Sequence, residues 1–336
     1  MPVMFTDLPD LAAERLGGVV IAASDEFFAP KENLLKPGKP EWREGVYTEQ
    51  GKWMDGWETR RRRTPGHDWA IIRLGVPGIV RGVVIDTSWF TGNYPERASI
   101  EACAIENSGL APGAPARPSA CGPGPDTRWE TLLAPTALEG NRPNAIPLEP
   151  NASRVTHLRL NIFPDGGVAR LRVHGEAVPE DRVFRTGGEV DLAALVNGGL
   201  VIACSDMHYG NPQNLLQPGR STHMGDGWET RRRRGPGHDW AILRLARRGV
   251  IGRVELDTDH YKGNAPGSCM LESCDAGPAF DAGAAHWEVL LAETPLRADA
   301  QHHWPDIPSR PATHVRLSIY PDGGVARLRL FGRAEA

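Results

Sequence analysis

No apolar run in the 336-residue chain approaches the roughly 20 residues that a membrane helix needs. The opening MPVMFTDLPDLAAERLGG lacks the basic start and apolar middle of a secretion signal, so a cytoplasmic protein is expected. Cysteine is scarce. Five residues, an odd number without a C-x-x-C pair, make neither a disulfide framework nor a zinc knuckle and read as reduced thiols. Excess charge of one sign is missing too: a formal net charge of −4 argues against a general polyanion binder, and neither nucleic acid nor a membrane is expected as a partner. An apolar fraction of 40% and a charged fraction of 24% are ordinary for a globular chain with room for two domains, each with its own core.

What the chain does have is a phrase written twice. DGWETRRRR begins at Asp55 and again at Asp226, and GHDWAI follows shortly in both places. The copies extend further. DLAAERLGGVVIAASD from Asp10 matches DLAALVNGGLVIACSD from Asp191, and THLRLNIFPDGGVARLRVHGE from Thr156 matches THVRLSIYPDGGVARLRLFGR from Thr313. The order is kept while only loops change length, so the chain is an internal duplication. The first copy carries extra residues around PEWREGVYTE and in GLAPGAPARPSACGPGP. The latter is too rich in Gly, Pro and Ala to bury much surface and is expected as an exposed excursion.

Within each copy the pattern is β. GGVVIAAS, DWAIIRLG, RGVVIDTSW, ASIEACAIE, WETLLAP, HLRLNIFP and VARLRVHGE are short runs, alternating or β-branched, bounded by Gly, Pro, Asn or Asp. PDGG marks a hairpin because glycine supplies positive φ. Only DLAAERL and its partner DLAALV look helical, with Asp10 and Asp191 as N-caps. This predicts an all-β chain, a tandem of two jelly-roll-like β-sandwiches over residues 7–176 and 188–334, linked by AVPEDRVFRTGGEV.

If GWETRRR is extended, Trp57 and Thr59 point one way and Glu58, Arg60 and Arg62 the other; Glu229, Arg231 and Arg233 repeat that row. Two guanidinium forks beside an acid suit a carboxylate ligand. The bland alternative pairs these arginines with Asp or Glu of neighbouring strands or of the other copy. His67 and Asp68, like His238 and Asp239, stand just before a strand, where an imidazole could pass a proton or an Asx turn could simply lead the chain in. Asp25 and Asp206 follow an apolar strand in the same manner. Trp57, Trp69, Trp228 and Trp240 read as core anchors. No cofactor motif is evident. Asp206, His208 and His223 would suit a divalent metal by type but lack a short ligand spacing such as H-x-x-x-H.

The ordered series SDEFF, NLL, DGWETRRRR, GHDWAIIRLG and DTSWFTGN, with second copies SDMHYG, NLL, DGWETRRRR, GHDWAILRL and DTDHYKGN, resembles the two-repeat signature of the allantoicases from about Asp7 to Gly332. The resemblance implies tandem jelly rolls and hydrolysis of allantoate to ureidoglycolate and urea in purine-derived allantoin breakdown, by a homo-oligomeric enzyme. Allantoate carries one carboxylate and two ureido groups on a single carbon. On that reading Glu58, His67, Asp68, Glu229, His238 and Asp239 are candidates for proton transfer, and Asp25, Arg60, Arg62, Asp206, Arg231 and Arg233 for holding substrate. The competing class is a non-catalytic carbohydrate-binding tandem of jelly rolls, for which ten tryptophans would be suitable.

Overall fold

A computed structural model describes residues 4–105, 122–185, 187–277, 280–308 and 310–335. The chain forms two compact units: Leu8–Val178, and Pro179–Ala336 with the N-terminal residues through Asp7. The first unit holds β1 (Val19–Ala23), β2 (Tyr47–Thr48), β3 (Gly51–Lys52), β4 (Trp57–Glu58), β5 (Asp68–Asp86), β6 (Arg97–Cys103), β7 (Glu130–Ala137), β8 (Pro143–Pro147), β9 (Val155–Phe163), β10 (Gly167–Val168) and β11 (Arg170–Ala177). The second holds β12 (Val190–Asp191), β13 (Leu200–Cys204), β14 (Trp228–Glu229), β15 (Asp239–Asp257), β16 (Ser268–Cys274), β17 (Glu288–Pro295), β18 (Gln301–Trp304), β19 (Pro311–Tyr320), β20 (Gly324–Val325) and β21 (Arg327–Ala334).

Both units are antiparallel β-sandwiches, with strand order β1-β5-β9-β6-β7 in the first and β12-β21-β15-β19-β16-β17 in the second. DWAIIRLG and RGVVIDTSW, which read as separate strands, are one: β5 runs unbroken for 19 residues. Residues 68–73 pair with β1 and β9, and residues 78–86 pair with β11, joined from Gly82 by β8. The strand thus serves both layers. The change of partners falls at Gly75–Gly78, where the backbone passes too close for side chains: a Cβ on Gly78 would lie 2.3 Å from the Glu176 carbonyl oxygen. Ala70, Ile72, Val83 and Ile85 of β5 meet Leu158, Leu160, Leu171 and Val173 in the core, all fully buried.

DLAAERL is not a helix. Asp10 bridges His174, and only Glu14–Leu16 forms a 3-10 turn. Its partner behaves alike, with Asp191 in β12 and a 3-10 turn at Leu195–Asn197. Asp10 Oδ1 does accept the Ala12 amide at 3.1 Å, as a cap would, but it also takes the Val173 amide at 2.9 Å and so pins this segment to β11. Strand tethering wins over helical propensity. AVPEDRVFRTGGEV also packs on the second unit through Asp181 to Arg247 and Glu189 to Arg253. Of GLAPGAPARPSACGPGP, residues 109–121 lie outside the described residues. Cys103, Cys204, Cys269 and Cys274 are buried free thiols, and burial pushes the Cys103 thiol up to about 11. Among the described residues no helix is long and apolar enough to cross a membrane.

Candidate active site

Seven of the nine letters of DGWETRRRR have a mechanical reason. Asp55 is buried against Arg170 of β11, 2.5 Å from its Nη2, and Asp226 meets Arg327 at 2.9 Å. Burial pushes the Asp55 carboxyl up, but the Arg170 hydrogen bond and charge, the Glu41 amide and Lys36 outweigh it and hold the group below the usual carboxylate range. Gly56 passes so near β10 and β11 that a Cβ would sit 2.8 Å from the Val168 carbonyl oxygen. Trp57 and Trp228 are fully buried and donate Nε1–H to the carbonyls of Asp25 and Asp206 at 2.8 and 2.9 Å. Thr59 accepts the Gly166 amide at 3.1 Å. This closes the PDGG turn, where Gly166 has the positive φ of 139°.

The polar row leaves these anchors in alternation. Glu58 Oε1 accepts from Asn93 Nδ2 at 2.6 Å, and Glu229 repeats the bond with Asn264 at 2.6 Å. Burial raises the Glu58 carboxyl against the opposing pull of Asn93. Arg60 grips Asp25 through Nε at 2.8 Å and its backbone amide at 2.9 Å; Arg231 does the same to Asp206 at 3.0 and 2.9 Å. Burial pushes Asp25 up, and the Arg60 and Phe27 hydrogen bonds outweigh it, so the carboxyl sits below its ordinary range. Arg62 donates Nη1 to Asp68 at 2.7 Å and its amide to Asp165 at 2.7 Å; Arg233 pairs with Asp239 and Asp322. Ser24 Oγ adds a bond to Asp68 at 3.0 Å, and Ser205 one to Asp239 at 2.9 Å. Each predicted aspartate is therefore the partner of a predicted arginine of its own unit. Arg61 and Arg63 are exposed.

His67 packs against Phe163 with ring centroids 4.7 Å apart and planes tilted by 39°, and His238 against Tyr320 at 4.6 Å and 38°. His67 also opens on a cleft of about 570 Å³, lined among others by Arg62, Trp69, Glu101, Arg159 and Asn161. Arg62 and His67 thus meet at one cavity, and Asp68 reaches it through Arg62. Glu58, Asp25 and Arg60 are not in that lining. Trp69 and Trp240 are half-buried, so neither is the core anchor that the sequence suggests; Trp69 forms a cleft wall because it sits on the outer face of β5. A smaller cleft of about 190 Å³ in the second unit, bordered by Arg220, Asp257 and His302, contains no predicted site residue. Asp206 spends both oxygens on Arg231 and on the His208 amide, at 3.0 Å for the latter. Among the described residues no group of three or more His, Cys, Asp or Glu could hold a metal ion.

The profile of the allantoicase repeat matches residues 9–178 and 190–335. This chain belongs to the allantoicase family. A protein of Burkholderia pseudomallei named as probable allantoicase 2 is 49% identical over 329 residues, covering 96% of this chain and 94% of that one. A probable allantoicase of Nocardia farcinica is 50% identical over 333 residues, covering 98% and 96%. The crystal structure of allantoicase from Saccharomyces cerevisiae superposes with a TM-score of 0.75 at 35% identity, covering 96% of this chain and 92% of that one. For an allantoicase-family chain, the residues that reading the repeats alone overlooks are Asn93, Asp165, Glu101, Arg159 and Asn161. The first two stand in the repeated GN and PDGG phrases; the others show only as polar letters at outward positions of β6 and β9.

Proposed function

We propose that this chain hydrolyses allantoate to ureidoglycolate and urea. The family is one of hydrolases of carbon–nitrogen bonds in linear amidines. The observation that carries the local reading is the convergence of Arg62 and His67, from two phrases of the repeated signature, on one cleft that also presents Glu101 and Arg159. The reaction breaks the bond from the central carbon to one ureido nitrogen, puts a water oxygen on that carbon and delivers a proton to the departing nitrogen. A fork fixed by Asp68 suits the substrate carboxylate, and an imidazole suits the proton transfer near neutral pH. Glu58, whose carboxyl burial raises, is the further acid of the motif and stands outside the lining of that cleft. A place in purine-derived allantoin degradation, a homo-oligomeric state and a cytoplasmic location belong to the same reading.

The carbohydrate-binding alternative needs tryptophans on the surface; the repeated Trp57 and Trp228 are buried, which leaves Trp42 and Trp89, exposed with ring centroids 5.6 Å apart, as the pair it would have to use. The direct test is urea release from allantoate by the purified chain, beside retention on a panel of polysaccharides. Urea release without retention supports hydrolysis; retention without urea release rejects it.

A further inference from the structure

The two units carry the same motif contacts, yet they differ on the sheet face beneath it. In the first unit Trp69 on β5 stands opposite Asn161 on β9, which stands opposite Ser99 on β6. The same register in the second unit places Trp240 opposite Ser318 and Ser318 opposite Met270. The next row is alike in both. Arg159 bonds Glu101 at 2.7 Å and stacks over Trp129, as Arg316 bonds Glu272 at 2.7 Å and stacks over Trp287. In the Asn161 row one amide and one hydroxyl are replaced by a hydroxyl and a thioether; at the cleft margin Phe163, Thr131 and Pro135 also give way to Tyr320, Val289 and Glu293.

Asn161 is 3% exposed and lines the cleft. Its Nδ2 donates to Ser99 Oγ at 3.1 Å and to Glu101 Oε2 at 2.7 Å. Because a carboxylate only accepts, those two bonds fix which way the amide points. They leave Oδ1 buried and without a partner. A buried acceptor left unpaired costs free energy that a ligand donor would recover. Glu101 spends only Oε2 on Asn161 and Arg159, so among the described residues Oε1 is a second open acceptor at the same cavity. Arg62 keeps Nη2 for a ligand after giving Nη1 to Asp68.

We infer that the first-unit cleft is a ureido-acid site, in which Asn161 Oδ1 and Glu101 Oε1 accept ureido N–H groups while Arg62 faces the carboxylate, and that the second unit lacks this site. The inference rests on the hydrolysis reading for its choice of ligand and deepens it, since a ureido group offers three N–H donors and one carbonyl to a wall that has acceptors to spare. Ser318 Oγ is likewise buried without a partner, but it stops one atom closer to the backbone than Asn161 Oδ1 and so reaches less far, and Met270 brings no polar group to hold an amide in place. Asn161 is here a specificity-determining residue, and Ser99 positions it.

The test uses the full chain and N-carbamoylglycine, which has one ureido group and one carboxylate, with N-acetylglycine as the analogue lacking the terminal amine. Asn161→Ser reproduces the residue that the second unit accommodates at this register. Thr131→Trp, on the exposed rim of the cleft, fills the cavity without touching its floor. Calorimetric titration should show wild type preferring the carbamoyl over the acetyl compound. Asn161→Ser and Thr131→Trp should each weaken carbamoyl binding by about tenfold, and Ser318→Ala should leave it unchanged. Wild type that binds neither compound, or both cleft variants binding like wild type, overturns the assignment. Urea release from allantoate in the same preparations separates the two readings. Binding in the cleft without urea release rejects hydrolysis and leaves the ureido-acid site standing. Urea release with both cleft variants at the wild-type KM rejects the site and leaves hydrolysis standing.

Discussion

Acid should weaken each unit through one buried histidine. His157 is fully buried on β9, with Nδ1 2.9 Å from Thr156 Oγ1 and Nε2 without a partner. His314 occupies the same place on β19, 2.9 Å from Thr313 Oγ1, with Phe280 stacked on it at 3.9 Å. Burial, with the positive charge of Arg73 or Arg244 as the second cause, pushes each imidazole down to about 4. The folded value lies below the unfolded one, so the stabilising contribution is complete above the ordinary 6.5 and is lost as pH falls from there through about 4. At about pH 5 the unfolded imidazole is nearly all protonated and the folded one is not, which costs on the order of 2 kcal/mol per unit. For domains of this size that corresponds to roughly 4 to 8 °C in Tm. Scanning calorimetry of wild type, His157→Leu and His314→Leu at about pH 7.5 and pH 5 measures it. Each Leu variant should flatten the acid loss of its own unit, whatever its stability at neutral pH. Acid losses equal to wild type in both variants would refute the burial argument.

Glu58→Gln carries two expectations. Because burial raises the Glu58 carboxyl, its stabilising contribution is held while it is protonated and lost as pH rises through the folded value, so the variant should gain Tm relative to wild type at neutral pH and not in strong acid. If Glu58 delivers the proton, urea release should also fall by more than about tenfold, with Glu229→Gln as the paired measurement. Arg62→Lys keeps the charge but loses the fork, and KM for allantoate should rise by the equivalent of about 1 to 3 kcal/mol; an unchanged KM would leave Arg62 as a strut for Asp68. Trp57→Ala should cost about 3 to 5 kcal/mol by denaturant titration, whereas the exposed Arg61→Ala should stay within about 0.5 kcal/mol.

The sandwiches were legible because their signals are local. HLRLNIF alternates, PDGG turns, and both do so twice. What escaped was governed by partners far along the chain. DLAAERL has a helix-like composition, but its Asp10 answers to the Val173 amide across more than a hundred residues. Gly75 and Gly78 read as a break between strands because a glycine required by close approach looks the same as a glycine required by a turn. The row Glu58, Arg60, Arg62 came from period two alone, while its aspartate partners at positions 25, 68 and 165 depend on how three loops meet. Asn161 was the least legible. Its chemistry depends on register with Ser99 and on which oxygen is left over after Glu101 is satisfied, and neither appears in a linear reading.

The duplicated phrase itself argues for a division of labour among its letters. Asp55, Gly56, Trp57 and Thr59 each contact β10, β11 or the turn before β10, or a loop buried with them, and their counterparts Asp226, Gly227, Trp228 and Thr230 do the same. Those contacts suffice to account for the four letters in both copies without a ligand. Arg60 and Arg62 are partly committed as well, each to one aspartate, which leaves them as preset forks and not as free cations. Repetition of the phrase is therefore compatible with only one unit binding substrate. The residues that decide between the units must be sought where the copies diverge while the backbone register is held, and the pair Ser99 and Asn161 against Met270 and Ser318 meets both conditions at the one cleft that Arg62 and His67 share.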